Sequence, residues 1–214
     1  MTRCWKSCVP ATSILPTTAI VLAAGSSERF GGTKLIAPFL GRALLQRAVD
    51  AACESRALVC ALVLGANADE VLERVDSRRC TIVRNASWQE GIASSIRAGL
   101  RIPDEATSCE ACIFLLGDQP FVSSLDINAL LSTADVSGRH PIVALRAGKT
   151  WGAPVLFPRR DFAALSSLRG DTGAKGYAQS QLRRVRFVSA RDRRAFHDVD
   201  FRADIPALSE TDAG

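Results

Sequence analysis

The segment from Ala19 to Lys34 constrains the fold more than any other part of this chain. It reads AIVLAAGSSERFGGTK, so an apolar run passes directly into a loop rich in glycine and serine. A continuous apolar run that ends at Gly25 is typical of a parallel strand covered on both faces. The small residues after it let successive backbone N–H groups form an anion-binding nest, and Arg29 and Lys34 add positive charge. The segment therefore predicts a phosphate-binding loop at the end of a buried strand.

Two common phosphate motifs are absent from this segment. Lys34 stands between Thr33 and Leu35, so the Gly-Lys-Ser/Thr ending of a P-loop is missing. The segment contains no Gly-x-Gly-x-x-Gly either. The loop must therefore belong to another kind of phosphate-binding site.

Composition limits the function classes. With 214 residues, 47% of them hydrophobic, the chain can bury one substantial core. The formal charge of +5 suits small anions, and because aromatic residues make up only 6%, few bases could be stacked, so we expect no nucleic-acid partner. No apolar run reaches membrane-spanning length, so no membrane partner is expected. The seven cysteines are an odd number and favour a reducing, cytoplasmic compartment over a disulfide framework.

Strands and helices alternate along the chain without a repeat or a linker. Residues 1–18 are predicted to be a flexible N-terminal extension, and residues 19–214 one domain. Strands are predicted at 19–24, 58–64, 80–84, 111–116, 141–145, 154–157, 185–189 and 197–199. Helices are predicted at 42–54, 69–75, 91–101, 124–132, 159–166 and 172–180, with a last one opening at Asp204. This order predicts an α/β fold with a doubly wound parallel sheet, whose ligands lie at the carboxyl ends of the strands.

Three aspartates are candidate metal ligands. Asp118 follows the apolar strand 111–116, so its carboxylate is expected at the carboxyl edge of the sheet, where Mg²⁺ could bridge it to phosphate oxygens. Taken alone, Asp118 is equally well a turn residue, because Gly-Asp-x-Pro is good turn chemistry. Asp198 and Asp200 alternate along a predicted strand, so they are expected to face the same side, and one of them could supply a second carboxylate.

These motifs together resemble the MobA-like nucleotidyltransferases. The loop signature of that family, Leu-Ala-Ala/Gly-Gly-x-Ser-x-Arg-x-Gly-x-x-Lys, matches residues 22–34 position by position. The resemblance implies a three-layer α/β/α, Rossmann-like fold of the glycosyltransferase-A kind with a mostly parallel sheet. It also implies transfer of a nucleoside monophosphate from an NTP with release of pyrophosphate. Arg29, Lys34 and Asp118 would be catalytic, and Asp118 with Asp200 would bind Mg²⁺ or Mn²⁺.

Two further blocks resemble the cytidylyltransferase branch of that family. The block 85–100 looks like Asn-x-x-Trp-x-x-Gly-x-x-x-Ser-Leu/Ile-x-x-Gly-Leu, and 168–175 looks like Leu-x-Gly-Asp-x-Gly-Ala-Arg/Lys. The implied nucleotide-binding residues are Leu22, Ala23, Ala24, Gly25, Lys34, Asn85, Gly91, Ser94 and Ser95. The implied acceptor-binding residues are Gly152, Pro154, Gly170, Asp171 and Lys175. Ala153 departs from the branch, which has His there, and Lys175 or Arg169 would offset the acceptor's negative charge.

The resemblance favours a cytidylyltransferase that acts on molybdopterin or its molybdenum-loaded form. Ala24 supports CTP as the substrate, because guanylyltransferase relatives more often have Gly at this position. A molybdoenzyme or its maturation chaperone would then receive the product. The alternatives are transfer from another NTP such as GTP, transfer to another phosphorylated acceptor, and a cofactor-binding chaperone without turnover.

Overall fold

The computed structural model describes residues 15–105, 109–135 and 140–205. Most of the predicted N-terminal extension lies outside these residues, so that prediction remains untested for 1–14. The first strand begins at Thr17, and both Thr17 and Thr18 are buried. These two residues therefore belong to the sheet and not to the extension.

The described residues form nine strands and six α-helices. The strands are β1 (Thr17–Ala23), β2 (Pro38–Phe39), β3 (Arg42–Ala43), β4 (Val59–Leu64), β5 (Thr81–Arg84), β6 (Ala111–Leu116), β7 (Ile142–Ala147), β8 (Thr150–Pro158) and β9 (Val185–Ser189). The helices are α1 (Leu44–Cys53), α2 (Ala68–Arg74), α3 (Ile92–Glu105), α4 (Ser124–Asp135), α5 (Phe162–Ser166) and α6 (Ala174–Ser180).

Seven of the strands form one sheet in the order β5-β4-β1-β6-β8-β7-β9. All neighbouring pairs are parallel except those of β8, which runs antiparallel to both β6 and β7. The predicted mostly parallel α/β sheet is therefore confirmed. The single antiparallel strand arises because β7 and β8 are joined by a short turn at Gly148, and a turn of that length can connect only antiparallel strands.

The core lies on both faces of this sheet. On one face, α1 and α4 pack against side chains such as Val21 of β1 and Ile113 of β6. On the other face, α3 packs against Ile20 and Val63, which alternate with the first set along their strands. The central strands are consequently apolar on both sides, as their sequence predicted. The result is the three-layer α/β/α arrangement.

The strand predicted at 197–199 is absent, since residues 197–200 form no ladder with the sheet. The N–H of Val199 instead donates to the carbonyl of Asp118 at 3.3 Å. The Val199 side chain is fully buried in a small cluster with Phe39 and Phe121. This anchor, and not strand pairing, holds the segment against the end of β6.

Among the described residues, no helix has both the length and the apolar composition that crossing a bilayer requires.

Candidate active site

The predicted phosphate loop lies at the carboxyl end of β1, in the middle of the sheet. Two short 3-10 turns, Glu28–Phe30 and Lys34–Ile36, shape it, and Ser27, Gly31 and Gly32 adopt positive φ angles of 61°, 72° and 153°. A Cβ atom added to Gly25 would meet no atom within 4 Å, so the backbone here borders open space. The loop therefore curves around a space into which its backbone groups can approach a ligand closely.

Lys34 forms ion pairs with two of the predicted metal ligands. Its Nζ lies 2.6 Å from Oδ2 of Asp118 and 3.5 Å from Oδ1 of Asp200. The Lys34 side chain is only 15% exposed, whereas Asp118 and Asp200 are 23% and 36% exposed. Arg29 is 72% exposed, and its Nη1 lies 3.6 Å from Oδ2 of Asp200. Two carboxylates and two cations thus meet at the mouth of the loop.

Asp200 reaches this place although it is not on a strand. The preceding Val199 is buried and bonded to the backbone of Asp118, which brings the segment to the end of β6. On the other side, Oδ2 of Asp204 accepts hydrogen bonds from the N–H groups of Asp200 and Phe201 at 2.8 and 2.7 Å. Both flanks of Asp200 are therefore fixed, and the carboxylate is directed to the loop.

Asp198 adds a third carboxylate beside these two. It accepts a hydrogen bond from Nε2 of the buried Gln119 at 2.8 Å. Although part of its side chain is exposed, the surrounding protein removes water from the carboxyl group and raises the pKa of Asp198 above its ordinary value. The charges of Asp118 and Asp200 raise that pKa further, and the Gln119 bond opposes the shift. The site therefore carries an excess of carboxylate charge.

A cavity of about 540 Å³ opens beside the loop. Its lining includes the predicted nucleotide-binding residues Leu22, Ala23, Ala24, Gly25, Lys34, Gly91 and Ser95, together with Arg29, Asp118, Asp171 and Asp200. Trp88, Gln89 and Ile92 complete one wall. The structure thus brings most of the predicted nucleotide and catalytic residues to one space.

Asn85 and Ser94 lie behind the wall of this cavity. Nδ2 of Asn85 donates to Oγ of Ser94 at 2.8 Å and to Oγ of Ser95 at 3.1 Å, while Oγ of Ser94 donates to the carbonyl of Gly91 at 2.8 Å. Both Asn85 and Ser94 are buried. Their nucleotide-binding role stays a prediction, and in this geometry they hold the first turn of α3 in place.

Gly91 lies where the predicted nucleotide-binding and acceptor-binding regions meet. Its φ is 89° and its ψ −179°, and an added Cβ would lie 2.5 Å from Oδ1 of Asp171 and 2.6 Å from the backbone of Gly170. The N–H of Ala93 donates to the carbonyl of Gly170 at 3.1 Å. The start of α3 and the turn at 170–171 are therefore in contact, which is possible only because residue 91 has no side chain.

A second cavity of about 250 Å³ adjoins the first, and both are lined by Leu22, Ile92 and Leu116. Of the predicted acceptor-binding residues, it is lined by Gly152 and Lys175. Pro154 is buried in β8 next to Ala153, which does line it, and Gly170 lies in the turn against Gly91. Arg169 is exposed and donates to the carbonyls of Ser166 and Leu168.

The sequence analysis missed several residues that line the second cavity. They are Phe114, Gln119, Trp151 and Phe196. Within the described part of the chain, Oε1 of Gln119 has no hydrogen-bond partner, although Gln119 is only 5% exposed. Only the position of Gln119 next to Asp118 could have drawn attention to it.

Comparisons with known proteins agree with this geometry. The family model described as "MobA-like NTP transferase domain" matches residues 19–185. Nicotine blue oxidoreductase of Paenarthrobacter nicotinovorans is 30% identical over 194 residues, which cover 86% of this chain and 91% of that protein.

Two solved structures are similar over nearly the whole chain. One is a homologue of Mycobacterium tuberculosis Rv0371c from Mycobacterium sp. strain JC1, with a TM-score of 0.78, 29% identity and coverage of 91% of this chain and 96% of that one. The other is Rv0371c of Mycobacterium tuberculosis in complex with manganese, with a TM-score of 0.74, 24% identity and coverage of 92% and 99%. Together with the family match, they confirm the predicted fold.

Proposed function

We propose that this chain, which belongs to the MobA-like NTP transferase family, transfers CMP from CTP to molybdopterin or its molybdenum-loaded form and releases pyrophosphate. The observation that carries the proposal is the position of Lys34, whose ammonium group lies between Asp118 and Asp200 at the mouth of the phosphate loop. Such a concentration of charge at the carboxyl end of a central strand suits a triphosphate and a cation.

The donor set fits a hard divalent cation. Asp118 and Asp200 each place a carboxylate oxygen within 3.5 Å of the same Lys34 Nζ, so both carboxylates face one point, and side-chain movement would let them share one cation there. Carboxylate oxygens are the ligands that Mg²⁺ and Mn²⁺ prefer, and a manganese complex is known for the Mycobacterium tuberculosis relative. We infer that Asp118 and Asp200 hold this ion, which would neutralise charge on the phosphate oxygens.

The chain's own cations would bind the triphosphate. Arg29 is exposed and Lys34 lies at the base of the same loop, so both can donate to phosphate oxygens that enter the first cavity. The reaction needs no nucleophilic side chain, because an anionic oxygen of the acceptor attacks the α-phosphorus in line. The task of the protein is to hold two anionic substrates together and to offset their repulsion.

We place the acceptor in the second cavity. Phe114 and Trp151 give it aromatic walls that suit a flat ring. Nζ of Lys175 lies 5.5 Å from the centre of the Trp151 ring, so it could bind a phosphate carried by a ring system stacked there. The free Oε1 of Gln119 can accept a hydrogen bond from the acceptor. These groups offer contacts that the methyl group of Ala153 cannot make.

The preference for CTP is tied to Ala24. The residue is 4% exposed, and its carbonyl accepts a hydrogen bond from the N–H of Ala66 at 3.1 Å, so it forms a fixed part of the cavity lining. A methyl group there leaves less room than Gly would, which favours the smaller pyrimidine. We expect Ala24→Gly to raise the rate with GTP relative to CTP, measured as kcat/KM for pyrophosphate release.

The decisive experiment measures pyrophosphate release with each of the four NTPs, with and without molybdopterin and its molybdenum-loaded form. Release that requires both CTP and one of these acceptors is the expected result. Release with another phosphorylated acceptor only would overturn the molybdenum-cofactor assignment but keep the nucleotidyltransferase one. No release with any NTP and acceptor would overturn both.

Asp200→Ala separates an enzyme from a cofactor-binding chaperone. For an enzyme, we expect turnover to fall by at least about a thousandfold, since a lost metal ligand removes several kcal/mol of transition-state stabilisation. Cofactor binding in the second cavity should persist. Asp69→Ala is the matched control, because that carboxylate is 84% exposed and forms an ion pair with the exposed Arg84. A chaperone would bind and deliver cofactor equally well in all three proteins without releasing pyrophosphate.

We further propose that the chain works in the cytoplasm and that a molybdoenzyme or its maturation chaperone receives the product. The compartment rests on the odd number of cysteines, and the recipient protein rests on the family resemblance alone. A pull-down of the tagged chain that recovers neither kind of protein would count against it.

A further inference from the structure

Three cysteines lie together away from the candidate active site. Cys53 ends α1, Cys60 lies near the start of β4, and Cys80 directly precedes β5. Their Sγ atoms all lie within 4.8 Å of one another, with 3.5 Å between Cys53 and Cys80 and 3.4 Å between Cys60 and Cys80. The pairing of β4 with β5 and the return of the chain after α1 bring these distant residues into one cluster.

The cluster lies at the opposite end of the sheet from the phosphate loop. Cys60 pairs with Ala19 near the start of β1, whereas the loop follows Ala23, which pairs with Leu64. At a rise of about 3.3 Å per residue, the four residues from Cys60 to Leu64 span about 13 Å. The cysteines therefore form a separate site and do not belong to either cavity.

The spacing of the sulfur atoms suits a metal ion. A metal–thiolate bond of about 2.3 Å implies sulfur–sulfur separations of about 3.8–4.0 Å in tetrahedral or trigonal geometry. The separations of 3.5 and 3.4 Å lie slightly below this range and the third is at most 4.8 Å, so small side-chain movements would complete the site. Cys60 is buried, while Cys53 and Cys80 are half-buried, so an ion can enter from solvent.

The surroundings favour a single thiolate in the cluster, at Cys53. Hydrogen bonds from Cys60 and Cys80 lower the pKa of Cys53, and the positive charge of Arg79 lowers it further. Nη2 of Arg79 also donates to the carbonyl of Cys53, which keeps this cation beside the cluster. Hydrogen bonding to Cys53, together with burial, raises the pKa values of Cys60 and Cys80. A metal ion would therefore have to displace the protons of these two thiols, because the thiolate is the ligand form of cysteine.

We propose that Cys53, Cys60 and Cys80 form a three-thiolate site for a thiophilic metal ion, either Zn²⁺ or Cu⁺. Three metal–sulfur bonds form, up to three thiol protons are released to solvent, and no group is oxidised or reduced. Cu⁺ suits three soft ligands alone, whereas Zn²⁺ would complete four-coordination with a water molecule on the exposed side. A bound ion would tie the end of α1 to the edge of the sheet.

The test uses the full chain with reduced thiols and adds Zn²⁺ or, without oxygen, Cu⁺. We expect one ion per chain in at least one of the two titrations, release of protons, and protection of Cys53 and Cys80 from alkylation, read by mass spectrometry. The ion that protects at the lower free concentration is the preferred one. If neither ion protects the cluster, the proposal is wrong.

Variants check that the cluster itself binds the ion. Cys60→Ser should lower the affinity by more than about a hundredfold, since changes to groups that merely orient ligands already cost 10–100-fold. If that variant does not fold, Cys80→Ser at the half-buried position serves the same purpose. Cys4→Ser combined with Cys8→Ser is the control, and it should bind as the wild type does. Unchanged affinity in the cluster variants, or lost binding in the control, would overturn the assignment.

Discussion

Replacing Gly91 with Ala is expected to destabilise the fold by about 2–6 kcal/mol. An alanine at φ 89° and ψ −179° occupies a region that is almost exclusive to glycine, at a cost of about 1–3 kcal/mol. The new Cβ would also lie 2.5 Å from Oδ1 of Asp171 and 2.6 Å from the backbone of Gly170, and such overpacking costs about a further 1–3 kcal/mol. For a chain of this size, the sum corresponds to a drop in Tm of about 4–24 °C.

Gly148→Ala is the matched control for this prediction. Gly148 also has a positive φ, of 60°, but an added Cβ would meet no atom within 4 Å. Only the backbone cost of about 1–2 kcal/mol should appear there. Denaturant unfolding measures the loss of stability in both variants, and pyrophosphate release below their Tm measures the loss of turnover. Gly91→Ala alone should lose turnover, because it displaces the turn at 170–171. Equal losses of stability in the two variants would refute the steric argument.

Three further predictions concern charged residues of the two cavities. Asp118→Asn should keep the fold, as read by circular dichroism, but lower metal-dependent turnover by at least about a hundredfold, and wild-type rates at saturating Mg²⁺ would contradict its role. Arg29→Ala and Lys34→Ala should each weaken CTP binding by about 1.5–3 kcal/mol, which is the scale of a charge-assisted hydrogen bond. Calorimetry that shows unchanged CTP affinity in both variants would exclude these residues as phosphate ligands. Asp198→Asn should raise Tm at neutral pH. The folded-state pKa of Asp198 lies above its unfolded value, so the free energy of unfolding falls as pH rises through these pKa values. In acid the carboxyl group is protonated in both states, and the higher Tm of the Asn variant should disappear there. A Tm difference that is constant with pH would refute the assignment.

Much of the fold could be predicted because its signals are local. The apolar runs of β1 and β6 identify buried strands, and β6 and β9 begin and end at the predicted residues. The alternation of strands with helices then indicates a parallel sheet, since parallel neighbours need a long crossover between them. The same reasoning placed the phosphate loop and Asp118 at one edge of the sheet.

The segment around Asp198 shows where such reasoning failed. Alternation of polar and apolar residues predicted a strand at 197–199, but the same pattern arises when Val199 alone is buried, in one cluster with Phe39 and Phe121. Those partners are about 80 to 160 residues away along the chain, so no local pattern identifies them.

The sequence by itself determined the α/β class, the buried central strands and the chemistry available at the loop, because periodicity and residue type are properties of short segments. Only the tertiary structure decided that Lys34 lies between Asp118 and Asp200, and that Cys53, Cys60 and Cys80 meet at the far end of the sheet. Each of these contacts depends on how distant strands pair and how helices cover them. That arrangement is set by burial of the whole core, which no single segment of the sequence specifies.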